Sequence, residues 1–359
     1  IEFVANIKSV KGKRIASSKD FDKNGKKINK DKEYITEKDC GEVLKILNNG
    51  SAKTSKIKET PRSGKPPKPL KTTSLQSSAR NNLGFQPRKT MSVAQKLYQE
   101  GLITYMRTDS IRLSDIAIKA ARKYISENFT KDHLPTEPNL YGDNKNAQAA
   151  HEAIRPTDIN KQKLPAGSDP GQQRLYDLIW TNTVESCMSP AEYNLITAKI
   201  TAPDKYHYKH SEELITFPGW MIVKGHETSN PNYNFLSKLK EDTNVNYSKI
   251  LSKMTLKDLK THYTEARLVQ QMEKVGIGRP STFSSLVAKI QDRGYVKKDT
   301  VKGKPLKCVD FTLTKESLVE MENTRIFGEE KNKLVIQHTG TIVMEFLIKQ
   351  FDPLFVYPY

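Results

Sequence analysis

Cysteine is scarce in this sequence, whose 359 residues contain only Cys40, Cys187 and Cys308, far apart along the chain. The absence of any CxxC pair argues against a zinc knuckle or a disulfide framework and fits a reducing compartment. Long apolar runs are also missing, so the sequence offers no candidate transmembrane helix. The first residues show no signal-peptide pattern. These absences predict an intracellular protein that is neither secreted nor embedded in a membrane.

Acidic side chains are the second shortage, since 41 Asp and Glu face 59 Lys and Arg, for a formal net charge of +18. Such a surplus suits a polyanionic partner, because phosphate neutralisation supplies most non-specific affinity for nucleic acids. An anionic membrane is the competing explanation, but no basic amphipathic helix is evident. The charge therefore favours nucleic acid over a membrane surface.

Composition and periodicity divide the chain into four segments and predict a multidomain α+β protein. Residues 1–64 contain strands and turns, 65–190 are mostly helical, and strand-like pieces return over 191–252. The helical segment therefore interrupts a β-rich domain and is inserted into it. The last segment, 253–359, is predicted to be largely helical.

The beginning of that last segment resembles a winged helix-turn-helix. Thr264 is a candidate cap for the helix TEARLVQQMEK, and a second helix, STFSSLVAKIQD, follows two glycines, with Pro280 at its first position. YVKK and KCVDFTLT are then predicted to form a hairpin, with a further helix from about Thr314.

One tyrosine draws attention in the stretch GLITYMRTDS. A helix with apolar residues at helical spacing ends before Gly101, and a short strand is predicted for 103–107. Alternation along that strand would place Tyr105 and Arg107 on one face. Spacing alone leaves two interpretations open: a tyrosine at the edge of the core beside a surface arginine, or a phenol and a guanidinium that act together.

No metal site is predicted. The loop Asp20–Gly25 begins like an EF-hand, but the lysines that follow and the strand-like flanks indicate a hairpin turn instead. His151 opens a HExxH-like motif in AHEAIRPTD that ends in arginine, so the second metal ligand is missing. Two interpretations of His151 and Arg155 stay open. They belong either to a solvated loop with an ion pair or to a site at which both bind a phosphate.

The stretch GIGRPST is a third candidate site. Glycines permit close approach to the backbone, and the start of a helix presents free N–H groups to an anion. Arg279, Ser281 and Thr282 would add side-chain donors. The alternative is an ordinary junction between two helices.

Together, GLITYMRTDS, AHEAIRPTD and YTEARLVQ with GIGRPSTFSSLVAKIQDRGYV, in that order, resemble the type IA DNA topoisomerases of the bacterial topoisomerase I kind. The stretch KPPKPLKTTSLQSSARNNLGF also looks like the family's entry into its tyrosine-bearing domain. The resemblance covers nearly all of the chain and is greatest over 65–190 and 262–298.

The resemblance implies that Tyr105 attacks a phosphodiester of single-stranded DNA, becomes joined to the 5′ phosphate and frees a 3′ hydroxyl. It assigns stabilisation of the transition-state charge to Arg107 and orientation of the phosphate to His151. A free phenol ionises near pH 10, roughly, so such a nucleophile needs a neighbouring cation or base. Further DNA-binding residues on this basis are Arg155, Arg279, Ser281 and Thr282.

Family members fold as a ring around a DNA cavity, which implies an arch formed by 1–64 and 191–252. The helical domain 65–190 would carry the tyrosine at the gate, and 253–359 would belong to the base, incomplete here. Members relax negative supercoils without ATP, and they need magnesium (Mg2+), which an N-terminal Toprim domain binds. The chain is predicted to be a monomer whose partners are single-stranded DNA and that domain.

Several features depart from the family pattern. The Toprim domain, with its acidic residues and catalytic glutamate, is absent, and KTHYTEARL lacks the Pro-Pro loop common before this helix. The sequence begins without methionine and ends on FDPLFVYPY, so we expect a fragment. Such a fragment is predicted to hold no metal and to bind single-stranded DNA without relaxing plasmids.

The alternative function is a non-catalytic DNA-binding protein built around the winged helix of 264–313, which would explain the basic charge equally well. Only the topoisomerase interpretation requires a covalent DNA adduct on tyrosine.

Overall fold

A computed structural model describes residues 2–22, 24–48, 50–142, 151–226, 229–256 and 259–355. These residues form α-helices and three β-sheets, so the mixture of helices and sheets predicted from the sequence is confirmed. Nowhere in these ranges does a helix have the length and apolarity needed to cross a membrane.

The largest sheet has seven strands from two distant parts of the chain. Its strands are β1 (Asn6–Val10), β2 (Lys13–Ile15), β3 (Lys32–Glu33), β4 (Ala52–Gly64), β5 (Ala191–Ala202), β6 (Tyr206–Phe217) and β7 (Asn244–Val245). They lie in the order β3-β2-β1-β6-β5-β4-β7 and pair antiparallel except β2 with β3. The long central pair, β4 with β5, brackets the helical segment, because Gly64 is the register partner of Ala191.

Between these strands lies a block of helices around its own apolar core. The helices are α2 (Thr72–Leu83), α3 (Pro87–Gln99), α4 (Asp115–Asn128) and α5 (Pro170–Ser186). Ser114 caps α4 by accepting a hydrogen bond from the Ala117 backbone N–H, and Asp169 caps α5 in the same way at Gln172. The core consists of the inward-facing apolar side chains of all four helices, among them Leu75, Leu97, Ile125 and Ile179.

A helix not predicted from the sequence, α1 (Glu37–Asn48), lies in the N-terminal segment. Its Val43, Leu44 and Leu47 are buried at helical spacing, with Tyr206 of β6 in the same cluster. The helix was missed because this segment was interpreted as strands and turns throughout.

The C-terminal part contains α7 (Glu265–Lys274), α8 (Phe283–Asp292) and α9 (His338–Phe355), with α6 (Pro231–Lys238) preceding them. Its strands are β8 (Ile250–Ser252), β9 (Val296–Val301), β10 (Lys304–Leu313), β11 (Leu318–Phe327) and β12 (Glu330–Ile336). Thr264 caps α7 through its side chain, as predicted.

Two predictions for this part are wrong. The two consecutive strands do not form a hairpin, because β9 pairs with β12 while β10 pairs with β11. The helix expected from about Thr314 is the strand β11, which makes ten consecutive register pairs with β10. Long cross-strand pairing prevails here over local preference, as is usual for sheets. The predicted helical character of 253–359 therefore applies to α7, α8 and α9, with strands between them.

The C-terminal part is joined to both other regions. Strand β10 pairs with β8 and buries Phe311 and Leu313 against Val43 and Leu44 of α1. Since β8 precedes residue 253, the strand pairing crosses the predicted boundary at 252. On the other side, α7 packs against α2 of the helical block.

Candidate active site

The end of α3 fixes the approach to Tyr105. The Gly101 N–H donates to the Tyr98 carbonyl and the Leu102 N–H donates to the Leu97 carbonyl, both at 2.9 Å. Gly101 has a φ of +69°, so this is the Schellman arrangement that favours glycine. The prediction that the helix stops at Gly101 is confirmed.

The segment that follows is an extended loop, and the strand predicted for 103–107 is wrong. Its only β-type pairing within the described residues is an isolated bridge between Ile103 and Pro156. The expected alternation survives in part: Tyr105 and Arg107 are exposed, while Met106 is fully buried. A phenol and a guanidinium two residues apart are thus both exposed on a segment that Met106 anchors in the core.

The chain around residue 154 holds one flank of residues 103–109, the loop that carries the predicted nucleophile Tyr105 and is named the nucleophile loop for that prediction. The Thr104 N–H donates to the Arg155 carbonyl (2.9 Å), and its hydroxyl donates to the Ala153 carbonyl (2.7 Å). The same hydroxyl accepts from the Arg155 N–H at 3.0 Å. Backbone and side chain of Thr104 therefore both fix the position of the residue before Tyr105.

The first residue of α2, Thr72, holds the other flank. Its fully buried hydroxyl lies 2.8 Å from the Met106 carbonyl and 3.0 Å from the Thr108 carbonyl, and it accepts from the Thr108 N–H at 2.9 Å. The Thr72 N–H donates to the Thr108 carbonyl as well, at 3.0 Å. The residues after Tyr105 are thus tied to the start of a helix.

The Tyr105 ring itself is 43% exposed, so its hydroxyl is accessible to a substrate. It contacts the ring of Tyr98 in an edge-to-face arrangement, with ring centroids 5.2 Å apart and planes inclined by 63°. Arg107 is exposed beside it. An exposed phenol and cation on a rigid backbone have the chemistry of a nucleophile with a charge-stabilising partner.

His151 lies next to the nucleophile loop, with its Nδ1 atom 3.5 Å from the Oδ1 atom of Asp109. Both atoms are buried, and neither has a hydrogen-bond partner among the described residues. The neighbouring Ala153 N–H donates to the Arg112 carbonyl at 2.8 Å, which fixes this segment against the end of the loop. The Asp109 carboxylate therefore lies beside the imidazole of His151, at the end of the loop.

Arg155 is engaged within its own segment. Its Nε and Nη2 atoms donate to the two carboxylate oxygens of Glu152, each at 3.0 Å, and Nη1 donates to the Pro156 carbonyl at 2.9 Å. The ion pair considered from the sequence is therefore formed. A direct contact between Arg155 and DNA stays a prediction, and it would have to compete with a bidentate carboxylate. Ala150, the first residue of this motif, lies outside the described residues.

The GIGRPST stretch forms a tight turn between α7 and α8. Gly276 and Gly278 have φ values of +78° and +80°. The Thr282 hydroxyl accepts from the Arg279 N–H at 2.9 Å and caps this turn, and α8 begins only at Phe283. Pro280 therefore lies in the turn and is not the first helical residue.

The three predicted side chains of this turn are exposed: Arg279, Ser281 and Thr282. Among the residues that the structure describes, the Arg279 Nη1 atom bonds only the adjacent Gly278 carbonyl, at 2.8 Å. The structure does not bring this turn into direct contact with the nucleophile loop. The two are connected through the packing of α7 on α2.

A carboxylate at the end of α7 forms that connection. Glu273 accepts from the Thr73 hydroxyl at 2.8 Å and pairs with the Lys71 ammonium at 2.9 Å. Both partners flank Thr72, which holds the nucleophile loop. One short stretch, 71–73, thus contacts the loop on one side and the α7–α8 element on the other.

Comparison with known proteins identifies the fold and its relatives. Residues 5–326 match the family model described as DNA topoisomerase. This chain belongs to the DNA topoisomerase family. It is 39% identical over 273 residues to DNA topoisomerase 1 of Haemophilus influenzae, covering 73% of this chain and 30% of that protein. For DNA topoisomerase 1 of Streptomyces coelicolor the identity is 38% over 305 residues, covering 82% and 32%.

A solved structure supports the same assignment. Full-length topoisomerase I from Thermotoga maritima aligns with 90% of this chain at a TM-score of 0.66 and 28% identity. The chain covers 49% of that protein and about a third of the length of the relatives above. The resemblance to bacterial topoisomerase I inferred from the three motifs is confirmed.

The described part of this topoisomerase chain contains no group of three or more His, Cys, Asp or Glu side chains placed to hold a metal ion. The Asp20 loop, dismissed as a calcium site, is a turn in which the Asp22 carboxylate accepts from the Asn24 and Lys26 N–H groups, both at 2.9 Å. The carboxylate of Asp22 is thus engaged by backbone N–H groups, and these residues do not fit a magnesium site.

Four residues that support the topoisomerase motifs were missed from the sequence: Thr72, Thr104, Asp109 and Glu273. Asp109 stands inside the quoted motif GLITYMRTDS, and its charge was the one available signal. The other three act through partners distant in sequence, such as Thr73 with Glu273 or Thr104 with Ala153. No local pattern indicates such contacts.

Proposed function

We propose that this chain supplies the nucleophile half of a type IA topoisomerase. The phenol of Tyr105 attacks phosphorus in single-stranded DNA, and the new bond to the tyrosine oxygen forms as the bond to the 3′ oxygen breaks. The phenol loses its proton and the departing 3′ oxygen gains one. The phosphotyrosine retains the energy of the broken bond, so resealing is the reverse reaction and consumes no ATP.

The observation that carries this proposal is an exposed tyrosine on a loop fixed from both flanks, with Arg107 beside it and His151 against its end. Arg107 stabilises charge that develops on the phosphate. Asp109 lies on the Nδ1 side of His151, which leaves Nε2 to face the phosphate. Arg279 contacts the backbone of the bound strand, where such contacts position DNA without reading its bases. Ser281 and Thr282 add donors at the same turn.

Strand passage follows from separating the two cleaved ends. The seven-stranded sheet, 1–64 with 191–252, corresponds to the arch, the block 65–190 to the gate, and 253–359 to part of the base. We propose that the gate opens where α2 meets α7, at the contact of Lys71 and Thr73 with Glu273. Passage of a strand through that opening, followed by resealing, relaxes negative supercoils.

The remaining catalytic residues and the magnesium site belong to a Toprim domain that is not part of this chain. The full protein acts as a monomer on DNA, in an intracellular compartment that contains DNA. By itself, this chain should bind single-stranded DNA and leave supercoiled plasmid unrelaxed, since catalytic units lose activity out of proportion when one part is missing.

The deciding experiment is covalent capture. The chain, supplemented with a separately produced Toprim domain and magnesium, is incubated with an end-labelled single-stranded oligonucleotide and then denatured. We expect a DNA adduct that maps to the peptide containing Tyr105. Tyr105→Phe should abolish the adduct while retaining DNA binding.

An adduct on Tyr124, or one that persists in Tyr105→Phe, would contradict the assignment. DNA binding by all proteins with no adduct in any of them would support the non-catalytic winged-helix alternative.

A further inference from the structure

Tyr98 occupies an unusual position for a large aromatic side chain. It lies in the last turn of α3, directly after Leu97, which is fully buried, yet Tyr98 itself is 41% exposed. Its ring is therefore not a core residue of the helical block. What it contacts is the ring of Tyr105.

The backbone on both sides of Tyr105 is fixed, but the backbone does not determine where the ring points. Thr104 and Thr72 hold the neighbouring residues, and Met106 is anchored in the core. A tyrosine side chain still rotates about two torsions, and an exposed one does so freely. In the part of the chain described, Tyr98 is the only aromatic ring packed against Tyr105.

We propose that Tyr98 is a positioning residue, whose ring holds the Tyr105 phenol in the orientation from which it attacks the phosphate. This inference rests on the proposed function, since it assigns a role in the same reaction. Edge-to-face aromatic pairs are favoured over random arrangements by a factor of roughly 2 to 12. Attack needs the nucleophile held close to its target. The contact between Tyr98 and Tyr105 therefore raises the fraction of molecules whose phenol is oriented for attack by a similar factor.

The geometry also determines which atoms of Tyr98 matter. The contact is between rings, and no hydrogen bond between the two hydroxyls is found among the described residues. Phenylalanine at position 98 should therefore preserve the function, whereas leucine should not.

Tyr34 offers a matched control, because its exposure (43%) is close to the 41% of Tyr98 and it contacts Phe21 edge-on, with ring centroids 5.4 Å apart. It lies in the N-terminal segment, and Tyr34→Leu removes an equivalent pair that does not involve Tyr105.

The first measurement uses this chain alone, with 3-fluorotyrosine incorporated at position 105 and observed by fluorine NMR. In Tyr98→Leu the resonance should move towards that of free 3-fluorotyrosine, because the field of the neighbouring ring is lost. Tyr98→Phe and Tyr34→Leu should retain the original resonance.

The second measurement is single-turnover cleavage of a saturating oligonucleotide by each variant supplemented with the Toprim domain. Tyr98→Leu should slow cleavage by roughly 2- to 12-fold without changing the DNA concentration at half-saturation, while Tyr98→Phe and Tyr34→Leu should cleave normally. An unchanged resonance in Tyr98→Leu, unchanged cleavage, or equal loss in Tyr98→Phe would overturn the proposal. If the unmodified protein formed no DNA adduct, the proposed function would be refuted instead. The NMR measurement needs no cleavage, so it tests the contact between Tyr98 and Tyr105 separately from the proposed function.

Discussion

Replacing Thr72 with valine should loosen the nucleophile loop and destabilise the helical block. The hydroxyl is fully buried, accepts the Thr108 N–H and donates to a loop carbonyl, while the methyl groups of valine do neither. A buried polar group left without a partner costs about 1–3 kcal/mol. The N–H and one carbonyl of the loop lose this partner, so we expect the free energy of unfolding to fall by about 2–6 kcal/mol.

Thr90→Val is the matched control for this prediction. Thr90 is equally buried, but its hydroxyl bonds only the Gln86 carbonyl one turn earlier, which also accepts the Thr90 N–H. Its replacement should therefore cost less than about 1 kcal/mol, since such back-bonds in helices add little.

Tryptophan fluorescence during urea unfolding measures both variants. The two tryptophans of the chain, Trp180 and Trp220, lie in or against the core of the helical block, so their emission reports on that block. If Thr72→Val lost no more stability than Thr90→Val, the hydroxyl of Thr72 would not hold the loop.

Three further outcomes are expected. Arg107→Ala, in the protein supplemented with the Toprim domain, should slow cleavage by about 10²- to 10³-fold in single-turnover assays; an unchanged rate would make Arg107 a surface residue. Arg279→Ala should weaken binding to two unrelated single-stranded oligonucleotides by the same factor. It should also reduce the slope of log affinity against log salt concentration by about 0.7. The control Lys123→Ala, on the exposed surface of α4, should leave both the affinity and the slope unchanged. Hydrogen bonds from His262 lower the pKa of Glu330 from 4.5 to about 2. Because that pKa is depressed in the folded state, the pair stabilises the fold above pH 4.5, and its contribution disappears as the pH falls towards about 2. Acid titration followed by circular dichroism should show this loss in the unmodified chain and a smaller one in Glu330→Gln; identical profiles would refute the assignment.

Sequence patterns predicted the features that depend on neighbouring residues. The cap Thr264 and the stop at Gly101 each act within one turn of a helix, and both are found in the structure. Alternation along a strand was expected to place Tyr105 and Arg107 on one face; both are exposed, although the segment is a loop.

Features that depend on distant partners were not predicted. Strand β11 is fixed by its pairing with β10, and β9 finds its partner in β12 beyond both of them. The same holds at the site, where Thr72 acts on residues more than thirty positions away. The chemical groups were thus evident from the sequence, but the contacts that orient them were not.

The direct pairing of Gly64 with Ala191 means that the helical block leaves and re-enters the large sheet at one point. A short turn in place of residues 65–190 would convert β4 and β5 into an ordinary hairpin, so the sheet does not depend on the block for its connectivity. The block is in this sense a removable module on a continuous scaffold. Both connections of the block to the sheet therefore pass through one junction, where the Trp220 indole bonds the Gly64 carbonyl at 3.0 Å. A hinge needs changes in only a few torsion angles, so a rotation of the block about that junction would break the contacts of Lys71 and Thr73 with Glu273.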